Sequence, residues 1–108
     1  AGAILLARTV TGKHAPVSLD LIDMEIERNA YGSQLQSFPG TLEVSGLQKP
    51  IDVAFIRAPV ITNIGKAVRV LSSFDHRPVI VQSGKVLAAT CHPEVRGEIS
   101  LHEYFLSL

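Results

Sequence analysis

The chain has 108 residues, is 46% hydrophobic, and carries ten acidic and ten basic residues that leave no net formal charge at pH 7. This suits one α/β-type domain or part of one, and the balanced charge removes the electrostatic case for nucleic acid or an anionic membrane as partner. No apolar run approaches the roughly 20 residues of a membrane span, the N-terminus lacks the basic region of a signal peptide, and the single cysteine, Cys91, excludes an internal disulfide and fits a reducing, cytoplasmic setting.

With four Phe, two Tyr and no Trp, the core must be built from Val, Ile, Leu and Ala. Ile4, Leu5, Leu6 and Ala7, with no proline among them, predict a helix over 1–10 that ends near Thr11-Gly12. Residues 21–27 alternate Ile22, Met24 and Ile26 with Asp23, Glu25 and Glu27, the period of a half-exposed strand. Asn29-Ala30-Tyr31-Gly32-Ser33 breaks it. Further strands are predicted over 40–44, 53–57, 67–72, 79–82 and 86–91, with turns at Pro39-Gly40, Asn63-Ile64-Gly65 and Ser83-Gly84. An amphipathic helix over 99–108 closes the chain. The apolar runs Val53-Ala54-Phe55-Ile56 and Val79-Ile80-Val81 read as strands buried on both faces. Two helices are too few to cover such a sheet, so part of its covering layer is expected to be absent.

The chemistry concentrates at His92-Pro93-Glu94. An imidazole and a carboxylate two residues apart fall on one face of an extended segment, where they read as a base and its orienter or as an exposed strand-end pair. Pro93 restricts His92 to an extended backbone. Cys91 adjoins the histidine, but strand neighbours point to opposite faces, so it reads as a buried core thiol rather than a nucleophile. His14, His76, His92 and His102 are scattered without zinc-ligand spacing, so no metal is expected. Arg28 and Arg57 each close a predicted strand ahead of a restricted segment. There a guanidinium fork can clamp a substrate carboxylate or pair with Glu27 or Asp52.

Three ordered motifs span residues 27–94: Glu27-Arg28-Asn29-Ala30-Tyr31-Gly32-Ser33-Gln34, Phe55-Ile56-Arg57-Ala58-Pro59 and Cys91-His92-Pro93-Glu94. Together they resemble the glutaminase subunits of pyridoxal 5′-phosphate synthase, a branch of the class I glutamine amidotransferases. The resemblance implies an α/β, flavodoxin-like three-layer domain of which residues 1–108 form the C-terminal half, strand-rich with a helix at each end. In that family the nucleophile is a cysteine in a Gly-Thr-Cys-Ala-Gly elbow, succeeded by an apolar helix. Ala1-Gly2-Ala3-Ile4-Leu5-Leu6-Ala7 is similar to the segment on the C-terminal side of that cysteine, which places the nucleophile just before Ala1. The chain departs from the family in lacking that residue and the Gly-rich oxyanion loop, and in having Ser33 where many relatives carry a second arginine.

Carried over by position, the resemblance makes His92 the general base and Glu94 its orienter, and makes Arg28, Ile56 and Arg57 the contacts for L-glutamine. It implies no cofactor, a cytoplasmic location, and a hetero-oligomer with a synthase subunit that builds ammonia into vitamin B6. Two alternatives stay open. One is a different class I amidotransferase, of the imidazole glycerol phosphate synthase type, which would explain His92 and Glu94 but not the two arginine motifs. The other is a non-catalytic binding module that keeps the fold.

Overall fold

The computed structural model describes residues 2–12, 17–28 and 37–108. The expectations for His14, for the motif over residues 29–34 and for Ser33 lie outside the described residues. Among the described residues helix α1 (Gly2–Leu6) is followed by eight strands: β1 (Ala7–Thr11), β2 (Ile22–Glu27), β3 (Ser37–Leu42), β4 (Ile51–Ile56), β5 (Val60–Ile64), β6 (Arg69–Phe74), β7 (Arg77–Ser83) and β8 (Val86–Ala89). A 3-10 turn (Glu94–Arg96) and helix α2 (Ser100–Leu106) complete the chain. The result is an α/β chain, rich in strands, with a helix at each end.

The strands form three groups, in the orders β1-β2-β5, β3-β4 and β6-β7-β8. β1 runs parallel to β2, and every other pairing is antiparallel. Val79 and Ile80 of β7 belong to one apolar cluster, with Phe55, Val53 and Leu42. Val81 belongs to the other, with Ile22, Met24 and Ile26. The uninterrupted apolar run of β7 is therefore buried on both sides, as its lack of alternation predicts. In the first cluster Phe38, Phe55 and Phe74 pack ring to ring, with centroids 5.0 Å apart for Phe38–Phe55 and 4.8 Å for Phe55–Phe74.

Four elements differ from the sequence-based expectation. The run Val53-Ala54-Phe55-Ile56 of β4 is not buried on both faces: Val53 and Phe55 are buried, whereas Ala54 is only half-buried and Ile56 is exposed, because the opposite face of β4 carries no apolar cluster among the described residues. The first helix stops at Leu6, because Thr9, Val10 and Thr11 are β-branched and favour a pleated partner. Ala7 is fully buried opposite Ile22, and the carbonyls of Leu5 and Leu6 accept bonds from the Leu19 and Leu21 amides instead of continuing the helix. Pro59 and Asn63-Ile64-Gly65 punctuate the segment of β5 like a turn. It pairs with β2 instead, with Ile61 opposite Ile26. Pro39-Gly40 lies inside β3, opposite Ala54 and Val53. Proline is tolerated there because β3 pairs with β4 alone among the described strands. Glycine is required because a Cβ at position 40 would sit 2.9 Å from Phe55 Cε2. Among the described residues no helix is long and apolar enough to cross a membrane.

Candidate active site

Beyond β8 the chain stays extended. The Thr90 amide donates to the Val79 carbonyl at 2.9 Å, and His92 then exchanges both backbone bonds with Ala54 of β4, at 2.8 and 3.1 Å. Residues that face each other across an antiparallel pair share a sheet face. His92 is therefore on the face of Ala54 and Ile56, away from buried Val53 and Phe55.

Pro93 changes the direction of the chain. Its φ of −66° and ψ of −33° start the 3-10 turn, which ends on Gly97 at φ 73° with the Gly97 amide bonded to the Glu94 carbonyl. The turn brings Glu94 Oε1 to 2.7 Å from His92 Nδ1. Same-face residues of an extended segment lie about 7 Å apart along the strand, so the contact comes from the turn rather than from a strand pleat.

An ionised carboxylate only accepts hydrogen bonds. With Glu94 charged, the hydrogen sits on Nδ1 and the lone pair of Nε2 is left for proton transfer. Partial burial pushes the Glu94 carboxyl upward, but the bond from His92, a backbone amide bond and the positive fields of His92 and His102 outweigh it and hold it below its ordinary value. The two side chains are 41% and 52% exposed, so the pair is open to a substrate.

Cys91 points the other way. It is 5% exposed, lies in the apolar cluster of Phe55 and Leu101, and burial pushes its thiol up to about 12. A thiol held protonated at neutral pH is a poor nucleophile. Behind the dyad Cys91, Glu94, His102 and Phe105 line an open groove of about 240 Å³. Among the described residues no group of three His, Cys, Asp or Glu side chains is arranged to hold a metal ion.

Ile56 and Arg57 stand at the end of β4, two and three residues beyond the histidine's backbone partner. Ile56 is 41% exposed. Arg57 has φ 44°, in the left-handed region that ordinary side chains avoid. A non-glycine residue held there beside exposed polar groups marks a place where backbone direction matters more than local stability. Arg28 comes directly after β2, which joins this end of the molecule through β5, since Glu27 pairs with Val60. Two backbone neighbours of these residues carry no sequence signal. Ala54 acts only through its backbone, and Gly12 lies against the Arg28 backbone from sixteen residues away, with its prospective Cβ 2.9 Å from the Arg28 carbonyl oxygen.

Comparison with known proteins gives a consistent result. The model of the SNO glutamine amidotransferase family matches residues 1–108. Pyridoxal 5′-phosphate synthase subunit PdxT of Thermus thermophilus is 47% identical over 108 residues, covering all of this chain and 56% of the relative. The protein of the same name from Deinococcus radiodurans is 45% identical over 112 residues, covering all of this chain and 57% of its own length. A crystal structure of a glutamine amidotransferase superposes with a TM-score of 0.85 at 41% identity, over 97% of this chain and 55% of that one. The chain thus spans little more than half the length of the relatives it matches.

Proposed function

We propose, since the chain belongs to the SNO glutamine amidotransferase family, that it is the C-terminal half of a glutaminase domain that releases ammonia from L-glutamine for pyridoxal 5′-phosphate synthesis. The observation that carries the reading is the His92–Glu94 pair, hung on β4 beside Ile56 and Arg57. The nucleophile comes from the chain N-terminal to Ala1, a reading supported by the likeness of Ala1–Ala7 to the segment on the C-terminal side of the family's cysteine.

In this mechanism the cysteine sulfur attacks the side-chain amide carbon of glutamine, and its proton passes to His92 Nε2. His92 returns that proton to the departing nitrogen as the carbon–nitrogen bond breaks, which frees ammonia and leaves a thioester. Water then adds to the thioester with His92 again as base, releasing glutamate and the thiol. Glu94 keeps the tautomer and stabilises the imidazolium that forms. Arg28 and Arg57 hold the substrate, Arg57 and Ile56 in part through backbone groups. No metal or cofactor is needed. The relatives' name, a subunit of pyridoxal 5′-phosphate synthase, supports a hetero-oligomer in which a synthase subunit consumes the ammonia.

Ammonia release from L-glutamine, measured on the full-length protein with and without its synthase subunit, tests the reading. Activity that disappears in His92→Ala is expected, with none from the 108-residue chain alone. Glutaminase activity in the isolated chain, or full activity in His92→Ala, overturns it.

A further inference from the structure

β1 and β2 run parallel and end side by side, with Thr11 opposite Glu27. Directly after β2 comes Arg28, whose amide donates to the Thr11 carbonyl at 3.0 Å. Directly after β1 comes Gly12, at φ 109°. A Cβ on Gly12 would meet three Arg28 atoms: the carbonyl oxygen at 2.9 Å, Cβ at 3.3 Å and the amide nitrogen at 3.5 Å. Two of these belong to the backbone, so no side-chain rotation relieves the contact. Position 12 is thus closed to a side chain twice over, by its backbone angle and by the Arg28 main chain.

We propose that Gly12 is a positioning residue for Arg28, fixing the main chain from which the guanidinium reaches the glutamine carboxylate. This rests on the reading of Arg28 as a glutamine contact. The Thr11 carbonyl fixes the Arg28 amide, and the bare Gly12 Cα lets the Arg28 carbonyl and Cβ approach. A residue with a side chain there pushes Arg28 outward, and a fork that binds two oxygens is sensitive to such a displacement.

Gly84 supplies the control. It also has positive φ, at 60°, but a Cβ there meets nothing within 4 Å. Gly84→Ala therefore carries backbone strain without touching Arg28. In the full-length amidotransferase, Gly12→Ala is expected to raise KM for glutamine about tenfold, a loss of about 1.4 kcal/mol of binding, with kcat little changed. Gly84→Ala is expected to lower the melting temperature and leave KM alone. The double variant Gly12→Ala with Arg28→Ala should show no further rise in KM beyond Arg28→Ala alone, because both act on one contact.

If Arg28→Ala leaves KM unchanged, the glutamine reading of Arg28 fails and the proposal goes with it. If Arg28→Ala raises KM while Gly12→Ala behaves like Gly84→Ala, or if the two effects multiply, the reading of Arg28 stands and the role of Gly12 is overturned. Gly12→Asn adds the same Cβ on a residue that tolerates positive φ better; it serves if the alanine variant does not fold. Failure of both variants to fold makes Gly12 structural and also overturns the proposal.

Discussion

Ala54 and His92 exchange both of their backbone hydrogen bonds, at 2.8 and 3.1 Å, so the imidazole is carried by β4 although it lies in the loop after β8. The backbone fixes its position, and the side chain is free for chemistry. Replacing the imidazole should therefore remove function and spare the fold. His92→Asn in the full-length protein is expected to lower glutamine turnover by about two to four orders of magnitude, with the melting temperature nearly unchanged. Steady-state ammonia release and a thermal melt on the same preparation check it. Unchanged turnover would sink the assignment of His92 as the base.

Glu94 acts on the tautomer, so Glu94→Gln should cost turnover more than binding, by up to about four orders of magnitude for a misplaced ring proton. Its effect on stability is small, since both partners are half exposed and such pairs are worth about 0–1 kcal/mol. The sign with pH is fixed by the lowered carboxyl. Its contribution is present above the ordinary value of 4.5 and is lost as pH falls through the depressed folded value. Denaturation midpoints of wild type and Glu94→Gln should differ slightly at pH 7 and converge in acid, once the pH has fallen below the depressed folded value. A gap that widens in acid contradicts the pairing.

Periodicity and local chemistry made part of the fold legible in the sequence. The alternation of 22–27, the apolar run of β7 and the last helix appear where the pattern puts them, but the helix buries Leu101 and leaves Ile99, Phe105 and Leu106, the residues its period assigns to the apolar stripe, exposed. The strand Ala7–Thr11 is hidden inside an apolar run that continues from a helix, and its identity depends on a parallel partner fifteen residues on. β5 is hidden by turn residues that a strand can accommodate. At the site, His92 and Glu94 are legible as residue types, but their contact depends on the αR conformation of Pro93, opposite to the extended geometry that first suggests the pair. Ala54 and Gly12 act through backbone alone, and no residue pattern announces such a role.

Cys91 should prove dispensable for chemistry and not for stability. Its thiol is buried among apolar side chains, and a hydroxyl placed there without a designed partner costs about 1–3 kcal/mol. Cys91→Ser is therefore expected to lower the melting temperature while kcat and KM remain near wild type. The raised thiol also predicts alkaline behaviour. The stabilisation from keeping it neutral is complete below 9.0, the ordinary value, and is lost as pH rises through about 12. Wild type should lose stability across that window more steeply than Cys91→Ser. Loss of activity in a well-folded serine variant would refute the assignment.

Arg57 separates stability from function most directly. Its φ of 44° costs a side-chain-bearing residue about 1–2 kcal/mol, and glycine adopts that region freely. Arg57→Gly should remove the strain at the expense of greater freedom in the unfolded chain, which offsets about 0.5–1 kcal/mol of the gain. The melting temperature is then expected to hold or rise by a few degrees. The same change removes the guanidinium, so KM for glutamine should rise roughly tenfold or more, the loss of about 1.5–3 kcal/mol in a charged hydrogen bond. Arg57→Ala keeps the strain and loses the same charge, so its KM should match that of the glycine variant while its melting temperature falls below it. Equal melting temperatures for the two variants would mean that the left-handed backbone at this position stores no strain. An unchanged KM in both would remove Arg57 from the substrate site and leave the strain without a functional reason.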